Sequence, residues 1–79
     1  MDLSDNFLKD SDMKIIENQP SIKYLYLSGN KIKSVESLGI LKNYEKLKEI
    51  DVSGCPFTEK EGYQFKLFGI CKSLMIVDG

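Results

Sequence analysis

The sequence contains no histidine among its 79 residues. This absence removes the usual base that activates a serine or cysteine nucleophile, and it leaves zinc with only two cysteines and the carboxylates as ligands. A phosphate-binding glycine loop is also missing, because Ser28-Gly29-Asn30-Lys31 lacks the spacing of that motif. Glu49 and Asp51 resemble a carboxylate pair, but an open surface would leave both hydrated. We therefore expect that the protein is not an enzyme and holds no metal or cofactor.

An excess of charge of one sign is missing as well, since 11 basic residues face 12 acidic ones. This balance gives no reason to expect direct binding of nucleic acid or of a membrane surface. No run approaches the roughly 18 apolar residues that span a bilayer, and the N-terminus lacks the apolar core of a signal peptide. The two cysteines, Cys55 and Cys71, have no close spacing and do not make a disulfide framework. We interpret both as buried thiols in a reducing compartment.

What the sequence does contain is a repeated pattern of apolar residues. Its clearest copy runs from Ile22 to Ile32, with leucines at 25 and 27 and an asparagine at 30, which is the consensus of one leucine-rich repeat. Leu25 and Leu27 lie two residues apart and therefore face the same side of a strand. The side-chain amide of Asn30 is expected to bond the backbone of neighbouring coils, which would otherwise bury unpaired polar groups.

The same pattern recurs on both sides of this copy. Leu3 occupies the position of Leu27 in the preceding copy, and Val52 occupies it in the following one, at nearly equal spacing. The step from Ile50 to Val77 is slightly longer. All three steps fall within the period of leucine-rich repeats, which is roughly 20–29 residues. One such coil cannot bury its own apolar edge, so the copies are expected to stack.

We therefore predict one α/β domain over residues 1–79, with a truncated repeat at 1–21, a repeat at 22–46 and a last repeat plus cap at 47–79. The expected architecture is a short right-handed leucine-rich repeat solenoid. A parallel concave sheet lies inside it, helices or turns lie on the convex side, and a helical cap closes the C-terminal end.

Three helical segments are predicted outside the strands, at 11–18, at 36–43 and after Thr58. Thr58 and Glu61 have the spacing of a capping box, which predicts a helix of roughly 12 residues. We expect its apolar side chains to seal the open end of the core, and a surface for a partner helix is the alternative. These side chains are Tyr63, Phe65, Leu67, Phe68, Ile70 and Cys71.

The first repeat starts at Met1 without a preceding coil. Its strand would present an open edge, which is a template for pairing with another chain. Either the sequence is a fragment of a longer protein, or the edge is closed by self-association.

The residues between the core positions of each strand are expected to line the concave face. They include four carboxylates and two tyrosines but no lysine, which favours a basic partner and offers it rigid contact area. The alternative is a solvated sheet face that needs polar side chains and has no partner. The residues of this face are Asp2, Ser4, Tyr24, Tyr26, Ser28, Glu49, Asp51, Ser53, Ile76 and Asp78.

A more specific pattern is formed by Leu27-Ser-Gly-Asn-Lys-Ile-Lys33, by Leu47-Lys48 with Asp51, by Cys55 with Thr58, and by Tyr63, Phe68 and Asp78-Gly79. Together these residues resemble the acidic leucine-rich nuclear phosphoprotein 32 family. The resemblance covers all 79 residues and is specific mainly through the C-terminal cap. Members of this family also have earlier repeats and a long Asp/Glu tail, neither of which this sequence contains.

The resemblance implies protein interaction rather than catalysis. It implies binding of histones or other chromatin factors, or inhibition of protein phosphatase 2A, in a protein that is both nuclear and cytoplasmic. Related caps also occur in structural leucine-rich subunits, similar to the A′ protein of the spliceosomal U2 particle or to dynein light-chain-like proteins. A structural subunit of an RNA-processing or dynein complex is therefore the alternative function.

Overall fold

The computed structural model of the chain describes residues 1–17, 19 and 21–78. In this described part of the chain, three short strands, β1 (Tyr24–Tyr26), β2 (Glu49–Asp51) and β3 (Ile76–Val77), form a parallel sheet in the order β1-β2-β3. Asp2 adds a parallel bridge to Tyr26 at the outer edge of β1. The connections between the strands contain helical backbone, because parallel strands require a crossover rather than a tight turn.

The register of the sheet follows the periods of the sequence. Leu25 pairs with Ile50, and Ile50 pairs with Val77, as the alignment of the repeats predicts. Asp2 bridges to Tyr26, and these two residues immediately precede Leu3 and Leu27, which the sequence places at equivalent positions. The alignment of the repeats is therefore confirmed, including that of the truncated first copy.

Among the described residues, three 3-10 helices lie at Asp10–Ile16, Val35–Asn43 and Pro56–Glu59, and one α-helix, α1, lies at Tyr63–Ile70. The first two 3-10 helices occupy the predicted positions, although the expected end at Asn18 lies outside the described residues, as do Pro20 and Gly79. The second helix buries Val35, Leu38 and Leu41. Since these apolar residues recur every third position, a helix with three residues per turn places all of them on one face.

The predicted capping box is wrong. Thr58 lies inside the third 3-10 helix, and its hydroxyl donates a hydrogen bond of 2.7 Å to the carbonyl of Cys55. Pro56 starts that helix early, because its fixed φ suits the first helical position. The α-helix begins only at Tyr63, after Gly62 in a left-handed conformation with φ of 82°, and it spans 8 residues rather than roughly twelve.

The core lies between the sheet and the helices. Leu25, Leu27, Ile50 and Val52 at its centre are all fully buried, as their repeat positions predict. Both cysteines are buried and free, which agrees with their interpretation as buried thiols.

The aromatic seal of the core is only partly confirmed. Phe57 is buried and packs edge-on against Tyr63, with ring centroids 5.8 Å apart. Phe65 and Phe68, which the sequence places in the seal, are instead 84% and 38% exposed. Because α1 is short, only Leu67 on its inner face is fully buried. The other aromatic side chains of the helix therefore remain on the surface.

The stacked parallel strands and their helical crossovers fit the predicted α/β leucine-rich repeat fold. Its right-handed winding and the concavity of the sheet stay predictions. Within the described part of the chain, no helix has the length and apolarity needed to cross a membrane.

Candidate protein-binding face

One side of the sheet points away from the core, and we call it the open sheet face. The strand register aligns the residues of this face in two rows that run across the strands. The first joins Asp2, Tyr26 and Asp51, and the second joins Tyr24, Glu49 and Ile76. Neighbouring strands lie about 4.8 Å apart, so each tyrosine has a carboxylate on the adjacent strand. We define the open sheet face by the residues predicted for it, which are Asp2, Ser4, Tyr24, Tyr26, Ser28, Glu49, Asp51, Ser53, Ile76 and Asp78.

Two of the carboxylates are held in the same local turn. A side-chain oxygen of Asp2 accepts a hydrogen bond of 2.9 Å from the backbone N–H of Ser4. Asp51 accepts the equivalent bond of 3.0 Å from Ser53, and also accepts one from the Ser53 hydroxyl. These bonds favour the charged form and lower the pKa of both carboxyl groups. Both side chains are therefore negatively charged at neutral pH.

The pKa of Tyr26 reflects the negative charge of the face. Desolvation raises its pKa, and the charges of Glu49, Asp2 and Asp51 raise it further. Its ring lies half-buried among these carboxylates, while Tyr24 in the second row is 48% exposed. The face thus combines fixed negative charge with accessible aromatic surface.

A row of serines extends the face toward the turns. The hydroxyl of Ser28 donates to that of Ser4 at 3.1 Å, and Ser53 bonds Asp51 as described. The register joins six of the ten residues predicted for this surface, and hydrogen bonds place the three serines beside them.

Asp78 is also predicted for this face, and that placement stays a prediction. One of its side-chain oxygens accepts a hydrogen bond of 2.7 Å from the backbone N–H of Val52, and the other accepts one from the Tyr63 hydroxyl. The backbone of Asp78, which follows the end of β3, is left-handed, with φ of 57°. Asp78 therefore ties the C-terminal cap to β2.

The hydrogen bond to Asp78 also affects Tyr63. It raises the pKa of the phenol, and partial burial and the charge of Asp78 raise that pKa further. Tyr63 is consequently neutral over the physiological range and remains a donor.

The predicted role of Asn30 is confirmed. Its side-chain oxygen accepts bonds from the backbone N–H groups of Asn6 and Leu8, at 3.0 and 2.9 Å. Its side-chain nitrogen donates to the carbonyls of Leu3 and Leu27, both at 2.9 Å. Since Asn30 is 1% exposed, these bonds replace water for four backbone groups of two coils.

Sequence reasoning missed a second link between the same two coils. The carboxylate of Asp10 accepts hydrogen bonds from the N–H groups of Lys33 and Ser34, at 2.8 and 3.0 Å, and from the Ser37 hydroxyl. Partial burial raises the pKa of Asp10, but these bonds outweigh it and lower the pKa below its ordinary value. Asp10 precedes Ser34 by the same step that separates Leu3 from Leu27, so the repeat period was the signal that it faces the next coil.

Comparison with a solved structure supports the fold. A chain in the structure of the Mex67:Mtr2 subunits of Chaetomium superposes with a TM-score of 0.85 over 99% of this chain and 52% of its own length. The two sequences are 23% identical, so this likeness concerns architecture alone.

Comparison of sequences identifies the family. A family model described as leucine-rich repeats (2 copies) matches residues 20–62. Acidic leucine-rich nuclear phosphoprotein 32 family member A from Drosophila pseudoobscura pseudoobscura, and that from Drosophila melanogaster, are each 35% identical over all 79 residues. The chain spans 30% of the length of these relatives. It belongs to the leucine-rich repeat family, and its resemblance to the acidic leucine-rich nuclear phosphoprotein 32 family is confirmed over its whole length.

Proposed function

We propose that the chain is a protein-binding module whose open sheet face holds a basic segment of its partner. The observation that carries the proposal is the pairing of tyrosines with carboxylates on adjacent strands, Tyr24 with Glu49 and Tyr26 with Asp51. Carboxylates attract a positively charged segment over a distance, and a tyrosine provides rigid surface for the aliphatic part of a lysine or arginine.

The partner class we favour is histones or other basic chromatin proteins. Binding of this kind requires no catalytic residues. The open sheet face has no enclosed arrangement of catalytic side chains of the kind that enzymes use. The relatives are named nuclear phosphoproteins, which supports a nuclear location. On the basis of the family resemblance, we propose a cytoplasmic location as well.

The proposal is tested by replacing Glu49 with glutamine and Asp51 with asparagine in one variant. Asparagine keeps an acceptor for the N–H of Ser53, so the local turn is preserved. Affinity for a lysine-rich histone-tail peptide should fall about three- to tenfold at low salt, because exposed ion pairs contribute modestly. The dependence of affinity on salt should also become flatter. Fluorescence anisotropy at several salt concentrations measures both.

The matched control replaces two exposed glutamates outside the face, Glu45 and Glu59, with glutamine. It removes the same charge and should leave the affinity almost unchanged. Equal loss in both variants would show that only net charge matters, and no loss in either would exclude the open sheet face.

Inhibition of protein phosphatase 2A is a second proposal, supported only by the likeness to the phosphoprotein family. The chain should then slow that phosphatase on a phosphoprotein substrate. A structural subunit of an RNA-processing or dynein complex would instead copurify with one stable partner and would not bind histones.

A further inference from the structure

Four residues of the open sheet face lie at the corners of one small area of the sheet. Tyr24 and Tyr26 are on β1, and Glu49 and Asp51 are paired with them in register on β2. Residues two apart on a strand are separated by about 6.6 Å, and neighbouring strands by about 4.8 Å. The area therefore has two aromatic residues along one side and two carboxylates along the other, and we call it the tyrosine–carboxylate site.

Both tyrosines of this site are accessible to a ligand. Tyr24 is 48% exposed, and Tyr26 is half-buried. Within the part of the chain that the structure describes, neither forms an aromatic pair with another ring, and no lysine lies over either of them. The chain itself therefore supplies neither a stacking partner nor a cation to these two rings.

The electrostatics of Tyr26 show that the members of the site lie close together. Desolvation is the largest cause of its raised pKa, and the groups that raise it further are Glu49, Tyr24, Asp2 and Asp51. The other three corners of the site thus all act on this one phenol. The site carries two carboxylates and no basic group, so it is suited to a cation.

The rings decide which cation the site prefers, because carboxylates attract any positive charge. The ammonium group of an unmodified lysine is compact and strongly hydrated, and its three N–H donors find no strong acceptor on a ring face. Methylation of lysine keeps the charge and replaces N–H groups with methyl groups. Such methylated cations are attracted to the faces of aromatic rings.

We propose that the tyrosine–carboxylate site binds a lysine side chain that carries one or two methyl groups. The methyl groups contact the rings of Tyr24 and Tyr26, and the remaining N–H donates to one of the two carboxylates. A trimethylated lysine has no N–H to donate, so it uses the rings alone. This inference rests on the function proposed above, because it specifies the lysine that the basic segment of the partner presents.

The test compares five forms of one lysine-rich peptide that differ only at a central lysine. The central side chain is unmodified, monomethylated, dimethylated, trimethylated, or a neutral analogue of the dimethylated form in which carbon replaces the nitrogen. Fluorescence anisotropy measures the affinity of the whole chain for each form. We expect the dimethylated peptide to bind about two- to fivefold more tightly than the unmodified one, the factor that corresponds to an exposed cation–π contact. The trimethylated peptide should gain less, and the neutral analogue should bind more weakly than the unmodified peptide.

Substitutions of the tyrosines identify the rings as the source of this preference. Leucine keeps an apolar side chain on the strand but has no aromatic face. The affinity ratio of the dimethylated to the unmodified peptide should therefore fall in Tyr24→Leu, and it should approach one when Tyr26→Leu is added. Phe65→Leu is the matched control, because it removes a ring that is 84% exposed on α1, outside the open sheet face. This control should keep the ratio of the parent.

Equal affinity of the parent for the dimethylated and unmodified peptides would overturn the inference. So would a neutral analogue that binds as tightly as the dimethylated peptide, or a preference that both tyrosine variants retain. The variant that combines Glu49→Gln with Asp51→Asn separates this inference from the function on which it rests. If all five peptides bind the parent equally and this variant weakens them all, only the choice of lysine is wrong. If no peptide binds the parent, both proposals are wrong.

Discussion

At the scale of the residue, one repeat position is used in three ways. Asn30 is buried and bonds four backbone groups of two coils. In the next coil Cys55 replaces it, and its thiol donates to the carbonyl of Leu27 at 3.2 Å. In the first coil Asn6 is exposed and its side chain donates only to the carbonyl of Ser4. The same repeat position therefore contributes differently to stability, depending on which coils lie beside it.

Replacing Asn30 with alanine should lower the free energy of unfolding by about 2–4 kcal/mol, because buried backbone groups lose their partners. Asn6→Ala, at the same repeat position, should change it by less than about 0.5 kcal/mol, as is usual for surface sites. Urea unfolding of both variants measures the difference. Similar losses in the two would mean that the burial of Asn30 is not what makes it important.

At the scale of the element, the C-terminal cap depends on contacts between segments distant in sequence. Asp78 accepts hydrogen bonds from Val52 in the turn after β2 and from Tyr63 at the start of α1. This arrangement replaces the expected capping box, whose residues Thr58 and Glu61 lie before the helix. The cap is therefore held by a tertiary hydrogen bond rather than by local helix capping.

Tyr63→Phe should lower the free energy of unfolding by about 1 kcal/mol at neutral pH. The bond to Asp78 raises the pKa of Tyr63 in the folded protein. Its contribution is therefore present below the unfolded pKa, near 10, and is lost as pH rises through the higher folded value. The parent protein should lose more stability above about pH 10 than the variant.

Urea unfolding between neutral and alkaline pH provides this measurement. Tyr24→Phe is the matched control, since Tyr24 is exposed on the open sheet face. An alkaline decline that is as steep in Tyr63→Phe as in the parent would exclude the bond to Asp78 as its source.

At the scale of the whole molecule, the two ends of the stack differ. The C-terminal end carries α1, which buries Leu67 in the core. At the other end Met1, Phe7 and Ile15 are 40%, 75% and 51% exposed, and no strand among the described residues pairs with the outer edge of the first coil. An edge of this kind can pair with another chain.

An isolated chain of these 79 residues should self-associate through its first coil, in a concentration-dependent way that sedimentation velocity can measure. Phe7→Asn should reduce the association, and asparagine tolerates the left-handed backbone at this position, where φ is 56°. Phe65→Asn removes an equally exposed phenylalanine elsewhere and should have no effect. A parent chain that stays monomeric at every concentration would contradict the prediction.

Most of the candidate face was predictable, because the side of the sheet on which a strand residue lies depends only on its position along that strand. Alternation along a strand places Tyr24, Tyr26, Glu49 and Asp51 on one side, and the repeat period then sets which of them are neighbours. The hydrogen bonds of Asp78 and the exposure of Phe65 escaped prediction because the backbone departs from the repeat around them. The left-handed turn at Asp78 and the late start of α1 at Tyr63 depend on the packing of the cap.

The sequence by itself determined the repeat periods, the strand register, the buried apolar positions and the composition of the open sheet face. All of these depend on spacings along the chain, which repeat stacking converts directly into neighbours. Only the tertiary structure decided the tie between Asp78 and Tyr63 and the exposure of Phe65 on α1. Both depend on how distant segments of the C-terminal cap pack against one another, and no local pattern in the sequence encodes that packing.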